Sequence, residues 1–568
     1  MPQRANAKTT EPLLQKEWQL PEQSENQSTF LLHDGPPYAN GKTHAGHALN
    51  KVLKDFHNRY WLTQGKNVNF RPGFDCHGLP TEMKVLESLT PEKRTNMNPL
   101  ELRQLCREYA DNAYRQQTTS LQRLGVLADW ENPYLTMSPE YESRQLEGLA
   151  RMLELNLLYR AEKEVWYSPS TKTALAEAEL EYLSNDTNKE NPLDWRTKQP
   201  VERRMMTQWF VDLSELRSQA EFVAEQVDWG NEESKNRFMS MLTNRPDWCV
   251  SRQRAWGLPL PAFYHKETNK PLLTAETVRH FAQLVSEHGS DCWWYMSNEQ
   301  LLPEAYQEQA NEYCKGYDTL DVWMDSGLSW LAVMGENVTA DLYLEGSDQH
   351  RGWFQSSLLT SVALTGRAPF KKVLTHGFVL DGDGRKMSKS EGNVVDPLDL
   401  VEQYSADVFR LWVASCDYSK DVCLSKDSLE QSKNNYMKMR QTYRFMLSNL
   451  FDFNSEMALE SKDLLHEDQK ALETFNQFQQ QMHNAYQSSN FAEAHKLLFN
   501  YLTNDFSKDW LKTETTGLKG RLYLCYENNH NAYERRSGQT ALNLVLRGLL
   551  EMTEPFLPHL ASETKKHF

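Results

Sequence analysis

The chain has 568 residues, 39% of them hydrophobic and 25% charged, with a formal net charge of −16. That length allows several packed domains, and the ordinary globular composition excludes a disordered or collagen-like chain. A polar segment over residues 1–16, no apolar run near the roughly 18–20 residues of a membrane span, and eight cysteines without a CxxC pair argue against a secretory signal, an anchor and a thiolate zinc ribbon.

Residues 29–32 are a short apolar run that stops at the loop HDGPPYANG (33–41), the pattern of a strand opening into a turn. From His44 to Thr63, apolar residues at Leu49, Val52, Leu53, Phe56 and Tyr60 keep helical spacing, and residues 67–70 give a second strand. A strand, a loop and then a helix start is an arrangement in which free N–H groups and the helix dipole receive phosphate. Residues 341–344 repeat the pattern, opening into EGSDQHRGW (345–353) and a helix carrying Phe354, Leu358, Leu359 and Val362. Repeated strand–loop–helix units predict an α/β fold with a doubly wound parallel sheet and ligands beyond the strands' carboxyl ends. The polar stretch 184–190 reads as a linker. Beyond about residue 430 the spacing is helical throughout. One stripe is Tyr436, Met439, Tyr443, Met446, Leu447 and Leu450; another is Leu542, Val545, Leu546, Leu549 and Met552, interrupted by Pro555 and Pro558.

Two distant motifs carry the chemistry. His44 and His47 lie three residues apart at a helix start, and Lys386 and Lys389 lie three apart in KMSKS (386–390), on a Gly/Ser-rich loop. Imidazole and ammonium donors brought together suit the triphosphate of ATP and the charge that develops as a carboxylate displaces pyrophosphate.

With PGFDCHGLPTE (72–82), DWCVSRQR (247–254) and the blocks above, in this order, the chain resembles the class I aminoacyl-tRNA synthetases, and their isoleucyl branch more than the valyl, leucyl or methionyl ones. The resemblance implies a split Rossmann-type catalytic domain. Its first half with an N-terminal extension would span 1–160, followed by a reduced connective insertion at 161–246, the second half at 247–375, the lysine loop and linker at 376–428, and an all-α tRNA-binding bundle at 429–568. It implies activation of isoleucine by ATP with Mg²⁺ and transfer to tRNA, by a cytoplasmic monomer with no membrane partner and no bound zinc. The implied catalytic groups are His44, His47, Lys386 and Lys389. Gly46, Gly346, Asp348, Gln349, His376, Gly377, Met387 and Ser388 would hold ATP, with Gly46 admitting adenine to the backbone. Asp75 would bind the substrate ammonium, with Glu345 beside it, and Pro36, Trp323 and Trp353 would wall the side-chain pocket.

Ala45, Phe74 and Met324 depart from the family's usual residues, as packing changes. A larger departure is an absence: from residue 174 the chain runs through a short polar stretch to DWRTKQP (194–200), leaving no room for the family's hydrolytic editing domain. The C-terminal zinc module of many relatives is likewise not expected. A paralogue that hands its adenylate to an acceptor other than tRNA is the competing reading, and a non-catalytic RNA-binding relic is disfavoured by the intact lysine loop.

Overall fold

The parallel sheet beside the site is built from two strand–helix–strand units. In the computed structural model, which describes residues 1–2, 5–176, 179–182, 191–387, 392–512, 517–528 and 532–568, β1 (Thr29–Leu31) leads through α1 (Ala45–Thr63) to β2 (Asn67–Asn69). These strands pair in parallel, Phe30 opposite Val68. Next come the antiparallel ribbon β3 (Leu158–Ser168) and β4 (Glu202–Val211), then α2 (Glu232–Thr243). The second unit is β5 (Ala340–Gly346), α3 (Trp353–Thr365) and β6 (Phe370–His376), with Gly346 opposite His376.

A parallel bridge between Leu32 and Leu342 joins the two units, giving the order β2-β1-β5-β6. The chain leaves β1 toward one side of the sheet and β5 toward the other. The crevice beyond their adjacent carboxyl ends is the topological switch point where such sheets bind ligands. The expected α/β architecture is therefore present, and the loops carrying the motifs open at this crevice.

Helix α1 has no solvent face over most of its length. Leu49, Val52, Leu53 and Phe56 are fully buried, but so are Lys54, Asp55 and Asn58. Polar groups in such a helix need internal partners, and those partners organise the site. Gly65, at φ +72°, lets the chain turn back into β2.

The C-terminal region is helical as expected: α4 (Ala406–Ser415), α5 (Lys426–Asn449), α6 (His466–Gln487), α7 (Phe491–Tyr501) and α8 (Tyr533–Thr553). Both apolar stripes are buried, on α5 and α8. Pro558 opens the following helix Pro558–Lys565, where a missing N–H costs nothing. A continuous apolar core runs from β1 and α1 into the bundle. The linker expected at 184–190 falls outside the described residues. Among the described residues no helix is long and apolar enough to cross a membrane.

Glu11, Asp407 and His559 cluster closely enough to resemble a metal site. Their ligand atoms are already engaged: Arg123 reaches Glu11 at 2.7 Å, Asp407 accepts from His559 Nδ1 at 2.6 Å and from the Leu560 N–H at 2.8 Å, and His559 Nε2 lies 2.8 Å from the Gln15 amide. The cluster fastens the N-terminal helix to the bundle.

Candidate active site

A cavity of about 680 Å³ lies at the switch point, and His44, Gly46, His47, Lys386 and Met387 border it together. The two motifs, far apart in the chain, thus meet around one space. Ser388 and Lys389 lie outside the described residues.

His44 is the N-cap of α1, with extended backbone. Its Nδ1 accepts from the Gly46 N–H at 3.1 Å and the His47 N–H at 3.4 Å, while His47 Nδ1 accepts from the His44 N–H at 3.3 Å. The pair is a reciprocal capping box made of two imidazoles, whose rings stack at 3.8 Å. With Nδ1 accepting, each neutral ring carries its proton on Nε2 and so presents an N–H donor. Capping and cavity-lining are therefore both properties of this pair. The Cβ that Gly46 lacks would sit 2.9 Å from the His44 ring, so glycine here makes room for the capping imidazole.

Beneath them lies a buried quartet of charges. Lys51 Nζ donates to Asp34, and Lys54 Nζ reaches Asp34 at 2.6 Å and Glu345 at 2.5 Å. Burial opposes every member. Against it, the two ammonium groups hold the Asp34 carboxyl below its ordinary value, and the two carboxylates keep Lys54 charged. For Lys51, which also borders the cavity, burial prevails and brings the ammonium down to about 8.

This quartet orients Glu345, whose Oε1 also accepts from the Gly35 N–H at 2.9 Å and whose Oε2 accepts from the Asn50 amide at 2.9 Å. Gly346, Asp348 and Gln349 border the cavity beside Glu345, and the Gln349 amide donates to Asp348 at 2.7 Å. Asn50 lies 3.1 Å from His376 Nε2, while His376 Nδ1 lies 2.8 Å from the Gly377 carbonyl. The carbonyl can only accept, so Nδ1 carries the proton and Nε2 accepts from Asn50. Burial lowers His376 further from charging. With both nitrogens occupied, His376 contributes shape rather than a hydrogen bond. A Cβ on Gly377 would lie 2.2 Å from the Lys420 backbone, so only glycine fits this close crossing.

On the other side, Pro36, Asp75, Trp323 and Trp353 border the same cavity. Trp353 is locked by its Nε1–H to the Ser326 carbonyl at 2.9 Å and by stacking on Tyr343 at 4.1 Å. Asp75 is buried, and its carboxylate accepts from the Thr136 hydroxyl at 3.3 Å. Burial, then the nearby Asp325 carboxylate, push its acid well above the ordinary range. The His77 imidazolium pulls it down only in part, and a substrate ammonium would add a second counter-charge. Asp325 is answered by the His77 imidazole at 2.7 Å. Burial opposes charge on His77, but Asp325 and Glu142 raise it to about 9.

Lys386 is exposed, with its ammonium 4.6 Å from the Phe378 ring centre, and its backbone bridges to Leu380. Asp381 holds the turn before it, accepting from the Arg385 N–H at 2.9 Å and the Asn393 amide at 2.9 Å. Phe74 and Met324 are buried in the packing, as is Ala45.

Sequence reasoning missed Asn50, Lys51 and Lys54, although their spacing of three, four and seven from His47 places them along the same helix. It also missed Tyr38, Leu180, Trp195, Arg237 and Arg351, which all border the cavity. Trp195 lies between β3 and β4, and its ring lies 6.1 Å from Tyr38.

Comparison with known proteins decides the family. Residues 15–425 match the model of tRNA synthetases class I (I, L, M and V), and residues 468–567 that of the anticodon-binding domain of tRNA ligase. The chain belongs to the class I aminoacyl-tRNA synthetases. Similar relatives include the isoleucine–tRNA ligase of Cyanothece sp., 35% identical across 99% of this chain and 80% of that protein. Another is the chloroplastic/mitochondrial isoleucine–tRNA ligase of Arabidopsis thaliana, 34% identical across 99% and 72%. The alignment with the first runs over 771 residues, longer than this 568-residue synthetase, so the relative has segments with no counterpart here. In fold, the synthetase is similar to a leucyl enzyme of Agrobacterium radiobacter K84 solved with tRNA (TM-score 0.75, 16% identity, 99% of this chain and 89% of that one). It is also similar to Mycobacterium tuberculosis methionyl-tRNA synthetase (TM-score 0.67, 18% identity, 95% and 94%). This synthetase is an aminoacyl-tRNA ligase, with an amino acid, ATP and tRNA as its substrates.

Proposed function

We propose that the enzyme activates isoleucine to isoleucyl-adenylate, charges isoleucine tRNA, and lacks post-transfer editing of valine. The observation that carries the first part is the single cavity shared by the imidazole pair, Lys386, Asp75 and the tryptophan walls. The identity to isoleucine–tRNA ligases supports the choice of amino acid.

In this reading Asp75 receives the ammonium of isoleucine, and its side chain packs among Pro36, Trp323 and Trp353. Glu345, held by Lys54 and the Gly35 N–H, fixes the ribose side, with Asp348 and Gln349 beside it. The Mg²⁺-bound triphosphate of ATP lies against the Nε2–H donors of His44 and His47 and against Lys386, with Lys389, Ser388 and Met387 completing the loop. The isoleucine carboxylate attacks the α-phosphorus and pyrophosphate leaves. The tRNA terminal hydroxyl then takes the acyl group and AMP departs. The protein forms no covalent intermediate; it positions reactants and offsets negative charge. The five ranges 1–160, 161–246, 247–375, 376–428 and 429–568 are our proposed domain division.

The editing reading rests on the short span between β3 and β4, where the motif DWRTKQP follows closely. Isoleucine and valine differ by one methylene, worth only about 1–3 kcal/mol in an apolar pocket, a magnitude established on synthetases for this pair and not calculated from this site. Without a second hydrolytic site the enzyme charges valine measurably and leaves it on the tRNA. ATP–pyrophosphate exchange across the amino acids, charging of isoleucine tRNA, and incubation with preformed Val-tRNA test all parts. Exchange strongest with an amino acid other than isoleucine refutes the specificity, and rapid hydrolysis of Val-tRNA refutes the missing editing.

A further inference from the structure

We propose that Arg237 and Arg351 form a subsite for the phosphodiester backbone of the tRNA acceptor end, separate from the groups that face the ATP triphosphate. This rests on the reading of the enzyme as a tRNA-charging synthetase and adds where the second substrate is gripped. Both arginines border the cavity, from different elements. Helix α2 is clamped on the turn after β5: Ser234 Oγ lies 2.8 Å from His350 Nε2, and the Phe238 ring lies 6.4 Å from the His350 ring. Arg237 immediately precedes Phe238, and Arg351 immediately follows His350, so this clamp holds together the two elements whose arginines border the cavity.

Among the described residues, neither guanidinium has an ion pair or hydrogen bond. Their neighbours are satisfied by comparison: Lys235 on the same helix pairs with Glu225 at 2.6 Å, and Arg245 donates to Gln355 at 2.6 Å. Asp348 borders the same cavity but pairs with neither arginine, so the two like charges repel each other and a bound anion relieves that repulsion. Guanidinium forks match phosphate oxygens in two-point contact.

Two phosphate sources reach this cavity, ATP and tRNA. The triphosphate already has the imidazole pair and Lys386. Met241, one helical turn beyond Arg237, also borders the cavity. A polarisable thioether beside a guanidinium offers an apolar surface for a base next to a contact for its phosphate, which suits a nucleotide of a single strand. The terminal ribose of tRNA must reach the adenylate, so the phosphodiester behind it lies at the cavity's rim.

The test uses the full-length enzyme and an isoleucine tRNA transcript. Wild-type exchange and charging are measured first. Arg237→Gln, Arg351→Gln and the double variant are then compared with Lys replacements. We expect exchange within about twofold of wild type, which also certifies folding. We expect kcat/KM for tRNA roughly tenfold or more lower in the double variant, with a log–log salt dependence shallower by about 1.4 for two lost single-strand phosphate contacts. The Lys variants should recover most of that slope. Exchange falling in parallel with charging would assign the pair to ATP and overturn the proposal, as would charging with unchanged rate and salt slope. A wild-type enzyme that exchanges pyrophosphate but charges no tRNA would refute the underlying reading as well, and is distinguishable because no variant is involved.

Discussion

Arg410 of α4 reaches Asp55 of α1 at 2.6 Å, and both side chains are fully buried. The same guanidinium donates to the Pro555 carbonyl at 2.6 Å and the Phe556 carbonyl at 3.1 Å, while Asp55 also accepts from Arg59 at 2.7 Å and the Leu127 N–H at 2.8 Å. The helix that begins with the imidazole pair is thereby tied to the chain just after α8. Replacing Arg410 with Met keeps length but removes the donor from four carbonyls, those of Leu124, Gly125, Pro555 and Phe556, and from a buried carboxylate. The expected loss is about 3–5 kcal/mol in denaturant unfolding, the scale for breaking a buried pair from one side. An unchanged midpoint would contradict the role of this tie.

Capping and chemistry at His44 can be separated. Asparagine is among the best N-caps, so His44→Asn should keep stability near wild type, while His44→Ala should lose about 1 kcal/mol. Both should lower the rate of ATP–pyrophosphate exchange by about 10²–10³, the scale for removing one donor to a developing anion. Exchange surviving in His44→Asn alone would mean that the ring matters only as a cap.

Lys54 is expected to act on the nucleotide through Glu345. In a double-mutant cycle of Lys54→Met and Glu345→Gln, read in kcat/KM for exchange, the losses should be non-additive by about 0.5–3 kcal/mol. Additive losses would show that the 2.5 Å contact does not position the carboxylate.

Asp75 should trade stability for function. Its acid is raised in the folded chain by burial and by Asp325, so the folded state favours the protonated form. The stability cost is absent below the ordinary carboxylate value, grows as pH rises toward the raised value, and is complete above it. Asp75→Asn should therefore melt a few degrees higher than wild type at neutral pH, with the gap closing as the solution is acidified, and should lose isoleucine activation. A variant that melts lower at neutral pH would refute the account.

The readable part of this fold was the part in which local pattern and burial agree. The stripe on α5 and the run from Leu49 to Tyr60 on α1 are apolar at helical spacing and are buried as expected. The site loops were readable because glycine, histidine and lysine recur there in blocks matching a family. Lys51 and Lys54 escaped notice because charged residues on a helix ordinarily face water, and only the approach of Asp34, from the loop after β1, and Glu345, at the end of β5, takes them inside. Arg237 and Trp195 escaped for the same reason: their positions depend on how distant segments dock, which no local spacing records.

The switch-point crevice also has a consequence for biosynthesis. Its walls follow β1 and β5, separated by some three hundred residues of chain, and the strand that completes the second pair ends only at His376. A ribosome that has released only the first wall exposes the imidazole pair with nothing facing it. On the proposed function the nucleotide site is complete only once β6 has docked, so the nascent chain passes through most of its synthesis with an open, unfinished groove.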